Sequence, residues 1–491
     1  MEEFINWLAG QLWGNGLVIL ALGAGLIFTV TTRFVQIRYF KEMIKLLFEG
    51  KSSEEGISSF QAFCLALSGR VGVGNIAGVA TAIAFGGPGA VFWMCVMALL
   101  GGASAFIEST LAQVYKTKVG NEYRGGTPYF IEKGLGLKWF AVLMAVVVTI
   151  SYGFLTPGVQ ANNIAAGMEN AFGINKIVTG IFLVVLLGAI IFGGVKRIAS
   201  VSQTVVPFMA AGYVVMTFVI LAANLKEIPE MISLIITSAF GVNQAFGGIV
   251  GAAIAWGVRR SIFSNVAGAG EATYSSAAAE VSHPAKQGLV QAFSIYIDTI
   301  VVCTATALMI LVTGMYNVTP EGKEPIVQPL ENVEAGPAYT QMAVETVIPG
   351  LGAAFVSIAI FFFAFTTLMA YYYIAETTLV YLSGKQDIQW LKIILKIVLL
   401  IMTFVGSVYS ASTMWALGDI GFGSMAWLSF IAILLLIKPA LKVLKDYDIQ
   451  KRAGKDPVFN PIKAGIKGAD FWEEQCNRLE KKSSLDSKSI I

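Results

Sequence analysis

"SGRVGVGNIAG", residues 68–78, interrupts an apolar stretch that runs from Phe60 to Phe85 and is otherwise long enough to cross a membrane as one helix. It holds four glycines, an arginine and an asparagine, poor material for a helix in lipid. In hydrocarbon each unpaired backbone group costs several kcal/mol, so a break at this depth has to serve a purpose.

The rest of the chain fixes the setting. Hydrophobic residues make up 56% and charged residues 13% of 491 positions, outside the range of a soluble globular protein, so the chain is read as an integral membrane protein. Its start, "MEEFINWLAG", is acidic where a cleavable leader needs a basic region, and the first apolar span is expected to stay in the mature protein. Cys64, Cys95, Cys303 and Cys476 form no CxxC pair, and the first three lie in apolar spans. Neither a disulfide nor a metal cluster is expected, and the single His283 cannot build one.

Runs of about 20 apolar residues predict an all-α protein with eleven transmembrane helices, near 12–32, 60–85, 89–114, 139–166, 175–194, 200–223, 244–270, 288–313, 349–382, 394–410 and 421–437. Basic residues follow the odd-numbered spans: Arg33, Arg38, Lys41, Lys45 and Lys51; Lys116, Lys118, Arg124 and Lys133; Lys196 and Arg197; Lys286; Lys385 and Lys392; and Lys438, Lys442, Lys445, Lys451 and Arg452. Cytoplasmic loops carry such an excess, which puts the N-terminus outside a plasma membrane and the C-terminus in the cytosol. Within residues 36–50, Ile37, Phe40, Ile44 and Leu47 recur at helical spacing, as in a helix lying on the inner membrane surface or an ordinary connector. The tail from Lys438 reads as a basic cytosolic extension with little fold of its own.

With the first span set aside, ten remain. The chain then divides into 1–57, an N-terminal helix plus interfacial helix; 58–223 and 224–437, two five-helix halves; and 438–491, the tail. An odd number of spans per half makes the halves inverted repeats, and each opens with a glycine-interrupted span, the second reading "AWGVRRSIFSNVAGAG". Paired interruptions of this kind point to a transporter binding site. Asn75-Ile-Ala-Gly78 is echoed by Asn265-Val-Ala-Gly268. A helix rises about 1.5 Å per residue and half the hydrocarbon layer is about 15 Å, so the first span reaches the midplane near Gly69 to Gly74. In the second, Trp256–Gly257 fits that arithmetic and Ser264–Gly270 fits the glycine density, and both stay open.

An opened backbone offers carbonyl oxygens to a small cation and amide N–H groups to a carboxylate, and Asn75 adds a polar side chain there. Packing of the GxxxG kind, which Gly74 and Gly78 permit, accounts for neither Arg70 nor Asn75.

"GGPGAVFWMCVMALLG", residues 86–101, with "VGNIAGVATAIAFGG" before it, resembles the signature region of the alanine or glycine:cation symporter family. "ISYGFLTPGVQANNIA", "IFSNVAGAG", "HPAKQGLVQAF" and "FAFTT" follow in matching order, covering nearly the whole chain except the tail. The resemblance implies a leucine-transporter type fold with a 5+5 inverted-repeat core, two discontinuous helices, and import of a small neutral amino acid with Na⁺. It implies a cation site at Ser68, Val71, Thr366 and Thr367. For the substrate it implies Gly74, Asn75, Gln160 and Tyr371, with Gly257, Asn265 and Thr367 also candidates. Both threonine hydroxyls could instead bond back to their own helix. The family usually carries Trp at Cys95, Thr at Val73, Glu at Val266 and Gly-Trp at Ala370-Tyr371, which leaves the identity of the amino acid open.

Ionisable residues in or near the spans are Arg70, Glu108, Arg259, Arg260, Asp298 and Glu376. Asp298 lies deep and is expected to pair with Arg259 or Arg260; Glu108 and Glu376 are expected near cytosolic ends as gate or surface partners, and His283 in a cytosolic loop. Secondary symport of alanine or glycine is the leading function. Glutamine or another neutral amino acid, H⁺ coupling, or less readily a channel are the alternatives. An enzyme lacks its nucleophile and metal ligands here, and a primary pump lacks a GxxxxGK[ST] loop. The expected partners are the amino acid, Na⁺ as transported ion and the lipid bilayer, with no nucleic acid and no resident cofactor.

Overall fold

The computed structural model describes residues 2–49, 53, 55–384 and 389–478. Lys51, Lys385 and residues 479–491 of the tail lie outside the described residues. Among the described residues the chain is mainly helical, with one two-stranded hairpin, Thr117–Val119 with Glu122–Arg124. Among the described residues eight helices are long and apolar enough to cross a membrane: Glu3–Thr31, Gly89–Val114, Lys138–Phe172, Lys196–Ala223, Pro284–Thr313, Gly352–Ser383, Gln389–Val408 and Ala411–Leu435. The three other expected spans are the shorter helix Lys176–Ile191 and two interrupted helices.

Large apolar side chains face outward on these helices, among them Val185, Phe208, Phe218 and Ile401, while Ser, Thr, Asn, Gln and charged residues are buried between them. A chain dissolved in lipid has this distribution, because hydrocarbon accepts the apolar exterior and the backbone breaks need polar partners inside. Ile37, Phe40 and Ile44 are also exposed, on the short helices Val35–Arg38 and Phe40–Leu47, whereas Leu47 is buried.

The first broken helix consists of Ser59–Arg70 and Ala77–Gly86. Ser58 starts it with a capping box: its hydroxyl accepts the Gln61 N–H at 3.2 Å, and Gln61 Oε1 accepts the Ser58 N–H at 3.0 Å. The second consists of Val250–Asn265 and Ala272–Ala278. Its break falls at 266–271, so glycine density locates it and length arithmetic does not; Trp256 and Gly257 sit in unbroken helix. Val266 ends that helix at φ 50°, followed by Gly268 at 82° and Gly270 at 94°. Only the glycines adopt such angles freely; the β-branched Val266 stores strain there, about 1–2 kcal/mol.

The two broken helices run antiparallel. Ile57, at the start of one, bonds Ala278 O at the end of the other at 3.0 Å, and Glu280 N returns to Ile57 O at 2.9 Å. At the opposite end a Cβ on Gly86 would come within 3.1 Å of Trp256. They cross where Gly74 meets Ser264, so closely that a Cβ on Gly74 would lie 3.0 Å from the Ser264 Cα.

The tail departs from the sequence expectation. Ile437–Arg452 is a helix that buries Ala440, Val443, Leu444 and Tyr447, and the chain beyond it returns across the helix ends. Phe459 N bonds Ser282 O at 2.9 Å, Trp472 Nε1 bonds Gln113 O at 2.8 Å, and Lys286 pairs with Asp456 at 2.6 Å. Two buried aromatics, Phe459 and Trp472, supply the apolar anchor that a reading of net polarity overlooks.

Candidate binding site at the unwound helices

The first break frees backbone groups that a helix would have paired, and Asn75 of the break and side chains from three other helices take them up. Thr367 Oγ1 lies 2.9 Å from the Ser68 carbonyl oxygen and 3.5 Å from that of Val71. The Gly72 N–H donates to Asn75 Oδ1 at 2.8 Å, and the Val73 N–H to Gln160 Oε1 at 3.2 Å. Thr306 Oγ1 donates to Asn75 O at 2.7 Å. Gln160 Nε2 reaches the Tyr371 hydroxyl at 3.0 Å, joining Pro157–Phe172 to Gly352–Ser383 across the break.

The Asn75 amide donates to Asp298 Oδ1 at 2.7 Å and its backbone oxygen at 3.1 Å, and lies 3.3 Å from Cys303 Sγ. Asp298 also accepts from Thr299 at 2.7 Å and from Ser264 at 3.1 Å. Its expected arginine partner is therefore a correction: Arg260 pairs with Asp419 at 3.5 Å, and Arg259 donates to Trp13 O at 3.0 Å. Depth along the helix was a poor guide, because Asp298 sits on a π-helical turn, Tyr296–Cys303, whose extra residue per turn rotates it toward the break. Tyr152 sits on a second such turn, Ser151–Leu155.

Ser68, Val71, Gly74, Asn75, Gln160, Thr367 and Tyr371 are thus gathered around one unwound segment. Three others are not. Thr366 Oγ1 bonds back to Phe362 O and Phe363 O, both at 3.0 Å, and lies 3.9 Å from Met209 Sδ, because consecutive helical residues point about 100° apart. Gly257 is a packing position, where a Cβ would come within 2.7 Å of the Trp93 Cβ. Asn265 caps its own break, its Oδ1 accepting the Ala267 N–H at 3.0 Å while its amide donates to Ser261 and Thr299.

For other residues at the site the sequence reading gave no partner, and Glu271 it did not single out. Arg70 is fully buried, donates to Gln291 O at 3.3 Å and to Ser294 Oγ, and lies 3.9 Å from Glu108. Glu108 is buried too, not a surface partner, and accepts the Gly270 N–H of the second break at 3.1 Å. Glu271 follows that break directly and accepts from the Tyr152 hydroxyl at 2.7 Å. An ionisable residue just after "VAGAG" was the signal available for it. His283 is likewise no open loop residue: it is buried, caps Pro284–Ile295 and lies 3.2 Å from Asp446 of the tail helix.

Two cavities approach the broken helices. One of about 700 Å³ is lined by Asn162, Asn163, Gln341 and Trp415. Trp415 stacks on Arg260 at 4.6 Å and on Phe263 at 5.1 Å, next to the crossing point. The other, of about 770 Å³, is lined by Arg124, Tyr372, Glu376 and Lys392, where Glu376 holds Arg124 at 3.4 Å and Lys392 at 2.9 Å. The unwound segment lies fully buried, with Val71, Val73 and Asn75 at 0–1% exposure.

Comparison with known proteins gives this geometry a family. Residues 1–461 match the profile of the sodium:alanine symporter family. The putative sodium/proton-dependent alanine carrier protein YrbD of Bacillus subtilis (strain 168) is 59% identical over 475 residues, 97% of this chain and 98% of that one. The sodium/proton-dependent alanine carrier protein of Bacillus sp. (strain PS3) is 54% identical over 441 residues, 90% of this chain and 99% of that one. The probable sodium/glutamine symporter GlnT of Bacillus subtilis (strain 168) is 42% identical over 475 residues, 96% of each chain. The chain, a multi-pass membrane protein, belongs to the sodium:alanine symporter family.

Proposed function

We propose that the protein imports a small neutral amino acid, alanine foremost, together with Na⁺ by alternating access. One observation carries this: the backbone unwinds at 71–76, inside the protein, with Thr367 across its freed carbonyls and Gln160 on its freed N–H. In this reading the Ser68 and Val71 carbonyls and the Thr367 hydroxyl take the cation, with hard oxygen donors suited to it. Thr366 would join only after a local rearrangement. The substrate carboxylate faces the main chain near Gly74 and Asn75, with Gln160 and Tyr371 lining the pocket.

The antiparallel crossing of the broken helices supports two inverted five-helix halves, 58–223 and 224–437, eleven crossings in all and a leucine-transporter type fold. Basic loops support an outside N-terminus and a cytosolic C-terminus. The Arg260–Asp419 and Arg124–Glu376–Lys392 contacts then act as the two gates, with the buried site closed to both cavities. Alanine ranks ahead of glutamine because the two relatives named alanine carriers are more similar than the one named for glutamine. Those same names keep H⁺ beside Na⁺ as a coupling ion. The deciding experiment is uptake of labelled alanine, glycine and glutamine into proteoliposomes. Alanine accumulation that collapses without a Na⁺ or H⁺ gradient supports symport, and gradient-independent flux at channel rates refutes it.

A further inference from the structure

Four ionisable side chains are sealed between the two breaks: Arg70, Glu108, Glu271 and Asp298, each 0–3% exposed. Three carboxylates face one guanidinium. Buried charge in a low-dielectric interior is tolerated only when compensated. Arg70 offsets one carboxylate, and a monovalent cation at the Ser68 and Val71 carbonyls would offset a second. The third has no counter-charge among the described residues.

Ion pairing and hydrogen bonding together single out which one that is. Asp298 receives donors from Asn75, Thr299 and Ser264, which hold it as an anion. Glu108 receives the Gly270 N–H on Oε2, and its Oε1, which accepts no hydrogen bond, stands 3.9 Å from the Arg70 guanidinium. Glu271 receives only the Tyr152 hydroxyl on Oε2, while its buried Oε1 has no hydrogen-bond partner. That free oxygen lies against Gly69, in the last turn before the first break, where a Cβ would overlap it. The ionisable groups around it are Arg70 from the first broken helix, Glu108 from Gly89–Val114, Asp298 from Pro284–Thr313, Tyr152 and Tyr371 from the packed helices, and Tyr274 on its own segment.

We infer that Glu271 is the carrier's proton-binding site: its carboxylate takes a proton on Oε1 when the cavity on one side opens and releases it to water on the other. This deepens the symport reading and rests on it. The proton enters and leaves as H⁺, an O–H bond forming and breaking at one oxygen. Because Glu271 starts the second half-helix and touches the end of the first, its charge state reports on both breaks together.

The test uses the full-length protein in liposomes loaded with a pH-sensitive dye, with equal Na⁺ on both sides and the membrane potential clamped. Alanine added outside should acidify the lumen with wild-type protein. Glu271→Gln should abolish that acidification and flatten the pH dependence of alanine exchange. Tyr152→Phe keeps the carboxyl and removes its donor, so the pH profile should move by about half a unit or more, a displacement that mere loss of packing does not produce. Wild-type acidification persisting in Glu271→Gln overturns the assignment, as does its loss in Asp298→Asn with retention in Glu271→Gln. If Glu271→Gln fails to fold, an unmoved Tyr152→Phe profile overturns it instead. Wild-type protein that takes up alanine with Na⁺ but moves no protons defeats this inference alone, whereas wild-type protein without ion-driven uptake defeats the symport reading.

Discussion

Thr367 Oγ1 stands 2.9 Å from the Ser68 carbonyl oxygen and 3.5 Å from that of Val71, as well as 2.9 Å from Phe363 O of its own helix, so one hydroxyl faces both oxygens freed where the first helix breaks. A cation arriving there exchanges a hydroxyl donor for a charge that both carbonyls and the hydroxyl oxygen can ligate. Thr367→Val, which keeps the shape and removes the oxygen, is expected to raise the Na⁺ concentration for half-maximal alanine uptake about tenfold or more, and Thr367→Ser to restore it. Because Thr366 turns toward Met209, Thr366→Val should have the smaller effect. Sodium titration of uptake by each variant gives the comparison.

Gly72 occupies an extended conformation that alanine also adopts, φ −134° and ψ −150°, so its requirement is one of space. A Cβ there would lie 2.7 Å from Thr367 Oγ1 and 3.1 Å from Gln160 Oε1, within the two groups that serve the break. Gly72→Ala is expected to cost about 1–3 kcal/mol of stability and to lower transport more than that stability loss explains. Thermal unfolding and uptake measured on the same preparation separate the two effects.

Gln160 accepts from Val73 N–H and donates to Tyr371, and both partners are buried. Gln160→Leu leaves a backbone donor unpaired, at about 1–3 kcal/mol. Alanine affinity should fall about tenfold, and Gln160→Glu, which keeps the acceptor, should lose less. Isothermal titration at saturating Na⁺ distinguishes the variants.

Asp298 holds the Asn75 amide, and its substitution by Asn sets one amide donor against another. Asp298→Asn should reduce transport strongly, while Arg260→Met, which breaks only the pair with Asp419, should leave the Asn75 contact intact and alter access instead. Equal phenotypes in alanine binding would contradict this separation.

His283 ties the tail helix to the base of Pro284–Thr313 through Asp446. Burial holds its imidazole below the ordinary 6.5, although Asp446 pulls the other way. The unfolded chain therefore binds the proton more readily, so the His283 contribution is complete above about pH 6.5 and is lost as pH falls below it. Melting temperature should decline on acidification through that window. In His283→Gln the decline should be shallower.

Much of the architecture was legible because lipid imposes simple rules on composition. Apolar run lengths found the eight helices long enough to span, and glycine-rich stretches marked the first break at 71–76 and the second, at 266–271, as one of two positions left open, since helices fail where side chains no longer favour them. Gln160, Thr367 and Tyr371 joined the site through the family resemblance. Length arithmetic at Trp256–Gly257 misled, because a broken helix need not break halfway.

The partner of each buried charge was hidden. Asp298 met Asn75 instead of an arginine, Glu108 met Arg70 and Gly270, and Glu271 met Tyr152, through contacts spanning from 38 to 223 residues along the chain. Such pairings depend on helix rotation, on π-helical turns at Tyr152 and Asp298, and on how closely Gly74 lets two backbones approach. The sequence by itself determined that the chain belongs in lipid, where the first helix opens and that a second does, because those follow from local composition. Only the tertiary structure decided which polar groups meet at the openings, because helix rotation and crossing, set by packing across the whole bundle, determine which face each side chain presents.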